Sequence, residues 1–301
     1  MNIVILSKGS ANYTTKRLKV VARERGHKVR VISYTKCYMS IEKGKPVVYY
    51  KGEPIINIDV IIPRIAQSHT KFGTAVVRQF EMQGVFTTSS SIAINRSRDK
   101  LRSYQVMSKY GVGIPKTVFA REDVDYKDVL DKVGGAPCII KVARGTHGNG
   151  VVLAETPKAA KAVMQAFYVE GVNFLVQEFV EESAGTDIRV LVIAGRVVAS
   201  IKRQSLDDDF RSNTHQGGVG KAVKLTLQEE KTAIKAAKAM GLPICGVDMM
   251  RSKNGPLVLE VNSSASIKTP ELITKRDIAT KMIEYCERNA KSKNRKDKVG
   301  A

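Results

Sequence analysis

The sequence predicts an α/β half followed by an α+β half, and three patterns predict it. Short β-rich runs alternate with helical stretches through the N-terminal third, strand pairs joined by tight turns follow further on, and a cluster of helix breakers separates the two. In the first half, strands are expected at 3–6, 29–32 and 60–62 and helices at 16–25 and 72–83, a small doubly wound domain with a parallel sheet. Gly26 stands where a helix-ending glycine belongs, and Lys16, Arg17 and Lys19 mark the polar side of the helix before it. No GxGxxG follows the first strand, which argues against a dinucleotide site there.

A basic helix is expected over 98–109. Gly111, Gly113 and Pro115 break it, placing a boundary near residue 97. Beyond it the pattern gives strands at 138–142, 151–154 and 174–179, with a helix near 158–167. Two hairpin-like pairs follow, 188–193 with 197–202 and 244–250 with 257–262, separated by a helix at 228–240. A chain of 301 residues with 43% hydrophobic side chains can bury a full core divided into two or three subdomains.

Composition bounds the function. The longest apolar runs fall far short of the ~20 residues of a membrane span. The N-terminal run is too short, and lacks the basic leader, for a signal peptide, so a cytoplasmic protein is expected. Cys37, Cys138, Cys245 and Cys286 are scattered, with no CxxC pair or histidine cluster, and read as free structural thiols. A net charge of +21 draws polyanions such as nucleic acid, ribosomes or acidic peptides. Part of that excess sits in a basic tail over 289–301 with few apolar residues, either a solvated tail or a polyanion-binding one.

Three groups of residues carry chemistry. Gly145, Gly148 and Gly150, with Thr146 among them, lie between two strands. Glycines there let backbone N–H groups approach phosphate oxygens, although an ordinary glycine-rich turn has the same composition. No Lys-Ser/Thr pair follows, so this is not a Walker A loop. Lys141, just upstream in an apolar strand, calls for an anionic partner, and with the glycines it favours a triphosphate.

Asp248, Glu260 and Asn262 supply the carboxylate and amide oxygens that hard Mg²⁺ prefers. Period two along 257–262 sends Leu257, Leu259 and Val261 to one face and Glu260 and Asn262 to the other. Asp248 joins that second face only in the right hairpin register. A two-residue Asn254-Gly255 turn sets it opposite Val261, whereas a three-residue Lys253-Asn254-Gly255 loop with left-handed Gly255 sets it opposite Glu260. The second is expected.

Asp187 and Arg189 share a strand face, and Arg203, Arg211 and Asn213 follow. Planar guanidinium forks suit phosphate oxygens and charge developing on a transferring phosphoryl, while surface pairing with Asp207, Asp208 and Asp209 is the plainer alternative.

Taken in order, these stretches resemble the ATP-grasp superfamily, and their wording resembles the RimK family. The resemblance rests on residues 1–7, Ile62-Pro63-Arg64-Ile65, Arg78-Gln79-Phe80-Glu81-Met82 and Arg98-Asp99-Lys100-Leu101-Arg102. It continues through Gly134-Gly135-Ala136-Pro137, Val176-Gln177-Glu178, Asp187-Ile188-Arg189, Phe210-Arg211-Ser212-Asn213, Gly246-Val247-Asp248 and Gly255-Pro256-Leu257-Val258. It implies an ATP-grasp fold with an N-terminal pre-ATP-grasp domain over 1–97 and a catalytic region over 98–288, divided into a central lid subdomain at about 115–182 and a C-terminal one at about 183–288. It further implies ATP phosphates on Lys100 and Lys141, and adenine against Gln177, Glu178, Phe179 and Val180. Asp187 and Arg189 would lie by the nucleotide, Arg203, Arg211 and Asn213 by the phosphates and acceptor, and Asp248, Glu260 and Asn262 on a pair of Mg²⁺ or Mn²⁺ ions.

The family's activity, adding glutamate to the C-terminus of a small-subunit ribosomal protein through an acyl phosphate, is the implied function. ATP, glutamate and an acidic peptide or ribosomal protein are then the partners, and a homo-oligomer, a tetramer in the family, the assembly. Two readings stand beside it: a RimK-like ligase acting on a cofactor or carrier-protein carboxylate, and a non-catalytic ribosome- or RNA-binding protein on the same scaffold. The stretch Ser264-Ala265-Ser266-Ile267-Lys268 departs from the family's usual Ser-Pro-Gly and acidic run, which bears on acceptor choice.

Overall fold

The computed structural model describes residues 1–120, 124–143, 150–205 and 219–290. Its N-terminal part runs β1 (Asn2–Ser7), α1 (Tyr13–Glu24), β2 (Lys28–Ile32), β3 (Cys37–Glu42), β4 (Lys45–Tyr50), β5 (Glu53–Pro54), β6 (Val60–Arg64), α2 (Thr70–Met82), β7 (Phe86–Thr87) and α3 (Ser91–Arg98). Strands β2, β1, β6 and β7 form, in that order, an all-parallel sheet. Both faces of β1 are apolar: Ile3 and Ile5 pack with α1, while Val4 and Leu6 pack with α2. A parallel sheet covered on both sides requires that pattern. The Asn12 side chain caps α1 by accepting from the Thr14 N–H, and Gly26 follows its end at φ +77°.

Strands β3, β4 and β5 make a separate antiparallel sheet that the sequence reading passed over. Its signal was the pair of Lys-Gly steps. Glu42 pairs with Lys45 across Lys43-Gly44, and Tyr50 with Glu53 across Lys51-Gly52, where both turn residues have positive φ.

The helix expected over 98–109 is α4 (Lys100–Lys109), which starts two residues later because Asp99 separates it from α3, a helix the sequence reading passed over. Asp99 takes extended backbone angles, and its carboxylate accepts from the Arg102 N–H, so a good N-cap restarts the helix. Next come β8 (Thr117–Ala120), α5 (Tyr126–Val133), β9 (Cys138–Val142), β10 (Val151–Ala154), α6 (Pro157–Val169) and β11 (Phe174–Glu178). The four strands form an antiparallel sheet ordered β10, β9, β11, β8, with α5 and α6 on its apolar face.

The last part contains β12 (Thr186–Ile193), β13 (Arg196–Gln204), β14 (Val219–Ala222), α7 (Leu227–Met240), β15 (Ile244–Ser252), β16 (Gly255–Asn262), α8 (Lys268–Thr274) and α9 (Ile278–Ala290). Its five strands are antiparallel in the order β14, β13, β12, β15, β16, and α4 and α7 cover one face. Helix α9 returns to the N-terminal sheet: Ile278, Met282, Ile283 and Cys286 share one core with Ile3, Ile5, Leu18 and Val21. All four cysteines are buried free thiols. Among the described residues no helix is long and apolar enough to cross a membrane. The basic tail, apart from 289–290, lies outside the described residues.

Candidate active site

The metal-type residues are assembled by a hairpin whose register was expected but whose construction was not. Ser252 pairs with Gly255, so the turn is the two-residue Lys253-Asn254, and Gly255 (φ +104°) opens β16. Left alone, that turn would set Asp248 against Leu259. A β-bulge between Met249 and Asp248 on one side and Val258 and Glu260 on the other absorbs Leu259 and restores the Asp248–Glu260 pairing. The bulge also corrects the expected face of Leu259, which lines the cleft while Val258 and Val261 are buried in the core. The Tyr104 hydroxyl donates to the freed Leu259 carbonyl at 2.8 Å.

Asp248, Glu260 and Asn262 consequently share one face. The Asn262 amide donates to Glu260 Oε1 at 2.8 Å and to Asp248 Oδ2 at 3.4 Å, leaving its own Oδ1 as the acceptor end. Glu260 opens to the cleft, but loss of solvation at the cleft floor and then the Asp248 charge raise its pKa. Among the described residues no three His, Cys, Asp or Glu side chains come together. The donor set is two carboxylates and an amide, hard oxygens suited to Mg²⁺ or Mn²⁺, which would leave room for phosphate and water ligands. These residues fit such an ion.

Two arginines face the carboxylates from adjacent strands. Cross-strand pairing places Asp187 beside Arg203 and Arg189 beside Asp248. Arg189 grips Asp248 with a fork, Nε at 2.7 Å and Nη2 at 2.6 Å. Arg203 pairs with both Asp187 oxygens and reaches Asp248 at 3.1 Å. Burial alone would raise the Asp248 pKa, but Arg189 and Arg203 outweigh it and hold the group far below the usual carboxylate range. Arg203 is held charged in return, since Asp248 and Asp187 outweigh the cost of its burial. Its partners are therefore in the cleft; Asp207, Asp208 and Asp209, like Arg211 and Asn213, lie outside the described residues.

Across the cleft, Lys141 of β9 is buried at 7% exposure. The anionic partner expected for it is replaced by neutral oxygens: its ammonium donates to the Tyr104 hydroxyl at 2.8 Å and to Gln177 Oε1 at 2.7 Å, and lies over the Tyr104 ring. Gln177 is fixed in turn by donating to the Thr117 hydroxyl. Lys100 opens α4 on the same cleft, where burial and then the Lys141 charge lower its pKa.

The cleft, about 820 Å³ in volume, gathers Lys100, Lys141, Gln177, Glu178, Phe179, Val180, Asp187, Arg189, Arg203, Asp248, Glu260 and Asn262. Of the predicted glycines, Gly145 and Gly148, with Thr146, lie outside the described residues. Gly150 does not line the cleft. It stands at the base of the β9–β10 hairpin at φ +72°, its carbonyl accepting from Val142, and an added Cβ would approach Val142 Cγ2 to 2.8 Å. Its need for glycine is structural.

The sequence reading missed the wall contributed by the N-terminal sheet: Ser7, Gly9, Asn12 and Thr15 on one side, Arg64 and Gln67 on the other, with Arg98 from α3. The available signal was topological. Ser7 and Arg64 are register partners at the carboxyl ends of parallel strands, where open α/β sheets present their ligand crevices.

Solved structures of this architecture include the ATP-grasp ligase PsnB complexed with minimal precursor (TM-score 0.73, 20% identity, covering 95% of this chain and 98% of that one). D-alanine–D-alanine ligase from Bacillus anthracis also superposes (TM-score 0.65, 17% identity, 96% and 97% covered). The fold is the one these ATP-grasp ligases share. A model described as the RimK PreATP-grasp domain matches residues 1–94, and one described as the RimK-like ATP-grasp domain matches residues 97–286. The chain is 54% identical to a probable alpha-L-glutamate ligase of Hydrogenovibrio crunogenus and 53% identical to one of Vibrio cholerae, with 98% of each chain covered in both cases. It belongs to the RimK family of ATP-grasp ligases, enzymes that form carbon–nitrogen bonds.

Proposed function

We propose that this enzyme adds glutamate to the terminal carboxylate of a protein or peptide acceptor, of the small-subunit ribosomal type, through an acyl phosphate with release of ADP and phosphate. The observation that carries this reading is the opposition, within one cleft, of an oxygen set suited to metal ions (Asp248, Glu260, Asn262) and the cations Lys100 and Lys141. Relatives of more than half identity are named as probable alpha-L-glutamate ligases, which supports glutamate as the amine.

Lys100 and Lys141 would neutralise phosphate charge, and Asp248, Glu260 and Asn262 would hold a pair of Mg²⁺ or Mn²⁺ ions. Such ions, when bound, clamp phosphate oxygens and offset charge in phosphoryl transfer. Gln177, Glu178, Phe179 and Val180 fit the adenine side. Gln177 also holds the Lys141 ammonium in place, and Arg189 and Arg203 fix the Asp248 carboxylate. Arg203, with Arg211 and Asn213, is assigned to the phosphates and acceptor carboxylate. No protein nucleophile is required, because the acceptor carboxylate and the incoming amine do the bond-making while the chain positions and neutralises.

The test is incubation of the protein with ATP, Mg²⁺, glutamate and a mixture of small ribosomal subunit proteins, followed by mass spectrometry. Glutamyl additions on one acceptor are expected, and Glu260→Gln should abolish them while the fold, followed by circular dichroism, persists. ADP release with no lengthened protein or peptide would count against the acceptor class, and full turnover by Glu260→Gln would remove the metal assignment.

A further inference from the structure

Several arginines of this chain lie against carboxylates: Arg25, Arg189, Arg203 and Arg251 each meet an Asp or Glu oxygen. Arg64 does not. It ends β6 at the carboxyl edge of the parallel sheet, is only partly exposed and lines the cleft, and among the described residues no hydrogen bond or ion pair engages its guanidinium. Burial first, and then the like charge of Arg98, push its pKa down to about 10. A half-buried guanidinium with no counter-charge beside it is stabilised when an anion arrives.

Its surroundings are fixed and also short of partners. Arg98 is tied to the segment just after Arg64, donating to Gln67 Oε1 at 3.1 Å and to the Ile65 carbonyl at 2.9 Å, while its buried Nε has no partner. Ser264, in the loop after β16, also lines the cleft, and its buried hydroxyl likewise has none. An unpaired guanidinium on the cleft wall beside a second cation makes a receptor for a small planar anion. The phosphate-neutralising lysines and the metal-type oxygens belong to the other elements of the cleft, and a guanidinium fork matches a carboxylate in two parallel hydrogen bonds.

We propose that Arg64, backed by Arg98, is the subsite that takes a carboxylate of the incoming amino acid. It thereby positions the amine and keeps that carboxylate away from the phosphoryl group. This rests on the glutamate-ligase reading and names the residue that anchors its amino-acid substrate.

The test uses the full chain, wild type and Arg64→Gln, with Arg64→Lys as the charge-conserving variant. Steady-state rates are taken with ATP, Mg²⁺, an acceptor peptide ending in glutamate, and varied L-glutamate, L-glutamine or glutamate α-amide. Arg64→Gln should raise the KM for L-glutamate about tenfold or more with the KM for ATP little changed, and Arg64→Lys should recover part of the loss. If the γ-carboxylate is the one held, the variant loses the preference for glutamate over glutamine. If it is the α-carboxylate, glutamate and glutamine suffer equally and the α-amide is indifferent to the substitution. Without substrate, Arg64→Gln should melt no lower than wild type, because an uncompensated charge is gone, and it should lose the rise in Tm that L-glutamate gives wild type.

An unchanged KM for the amino acid, a rise shared by ATP or confined to the acceptor peptide, or a lower Tm without substrate overturns the proposal. If wild type ligates a different amine, the glutamate reading fails on that result alone, and Arg64 is judged by the same KM and melting comparison on that amine.

Discussion

Lys141 is a buried ammonium held, among the described residues, by neutral groups. The Tyr104 hydroxyl, the Tyr104 ring and Gln177 Oε1 hold its ammonium by neutral contacts, leaving its full charge for a ligand. Lys141→Met keeps the side-chain volume and removes the charge, so it should raise the KM for ATP about tenfold with little loss of stability, measured by steady-state kinetics and thermal melting. Asp187 is the opposite case. Its carboxylate is 5% exposed and engages the equally buried Arg203 with both oxygens. Asp187→Ala strips that two-oxygen partner from a buried guanidinium, so a loss of about 3 kcal/mol is expected in denaturant unfolding.

At the scale of elements, the β15–β16 hairpin decides the site. Its alternation and its turn residues were legible in the sequence, and they led to the correct Asp248–Glu260 pairing by way of a three-residue loop. The chain instead uses a two-residue turn plus a bulge at Leu259, because Tyr104 from α4 supplies the hydrogen bond that satisfies the bulged carbonyl. That donor is distant in sequence, so local turn chemistry could not reveal it. Tyr104→Phe should cost about 1 kcal/mol of stability and loosen both Lys141 and the bulge, which a lowered kcat and a lowered Tm would register together.

Helix α9 makes a second long-range contact of this kind. Glu287 accepts from both Arg25 nitrogens, at 2.8 and 2.7 Å, and contacts the His27 ring at 2.8 Å, clamping α9 to the end of α1. The Arg25 hydrogen bonds, against a smaller cost of burial, hold its pKa down at about 2 from 4.5. A depressed carboxylate pKa contributes stability that is complete above the unfolded value and lost as pH falls through the folded one, so this contact weakens between pH 4.5 and about 2. Glu287→Gln should cost on the order of 1 kcal/mol at neutral pH after solvent screening and flatten that part of the acid-denaturation curve.

For the whole molecule, the cleft is where three bodies meet: the carboxyl edge of the parallel sheet, the β8–β11 sheet carrying Lys141, and the β12–β16 face carrying the acidic residues. A ligand that spans them should stabilise the assembly by mass action, about 2.7 kcal/mol at a hundredfold excess over Kd. ATP analogue with Mg²⁺ should therefore raise Tm well above the analogue with EDTA, and Glu260→Gln should erase that difference.

The sequence by itself determined the order of an α/β half and an α+β half and the strand faces carrying Asp187, Arg189, Glu260 and Asn262, because period-two alternation is a local property of the chain, whereas Lys100, Gln177, Glu178, Phe179 and Val180 were reached through the resemblance to the RimK family. Tertiary structure alone decided that Lys141 has neutral partners, that Leu259 is bulged, that α9 returns to the first sheet and that Arg64 lines the cleft with no counter-charge among the described residues. Each of those depends on groups brought together from remote parts of the chain, and spacing along the sequence carries no measure of what lies across a cleft.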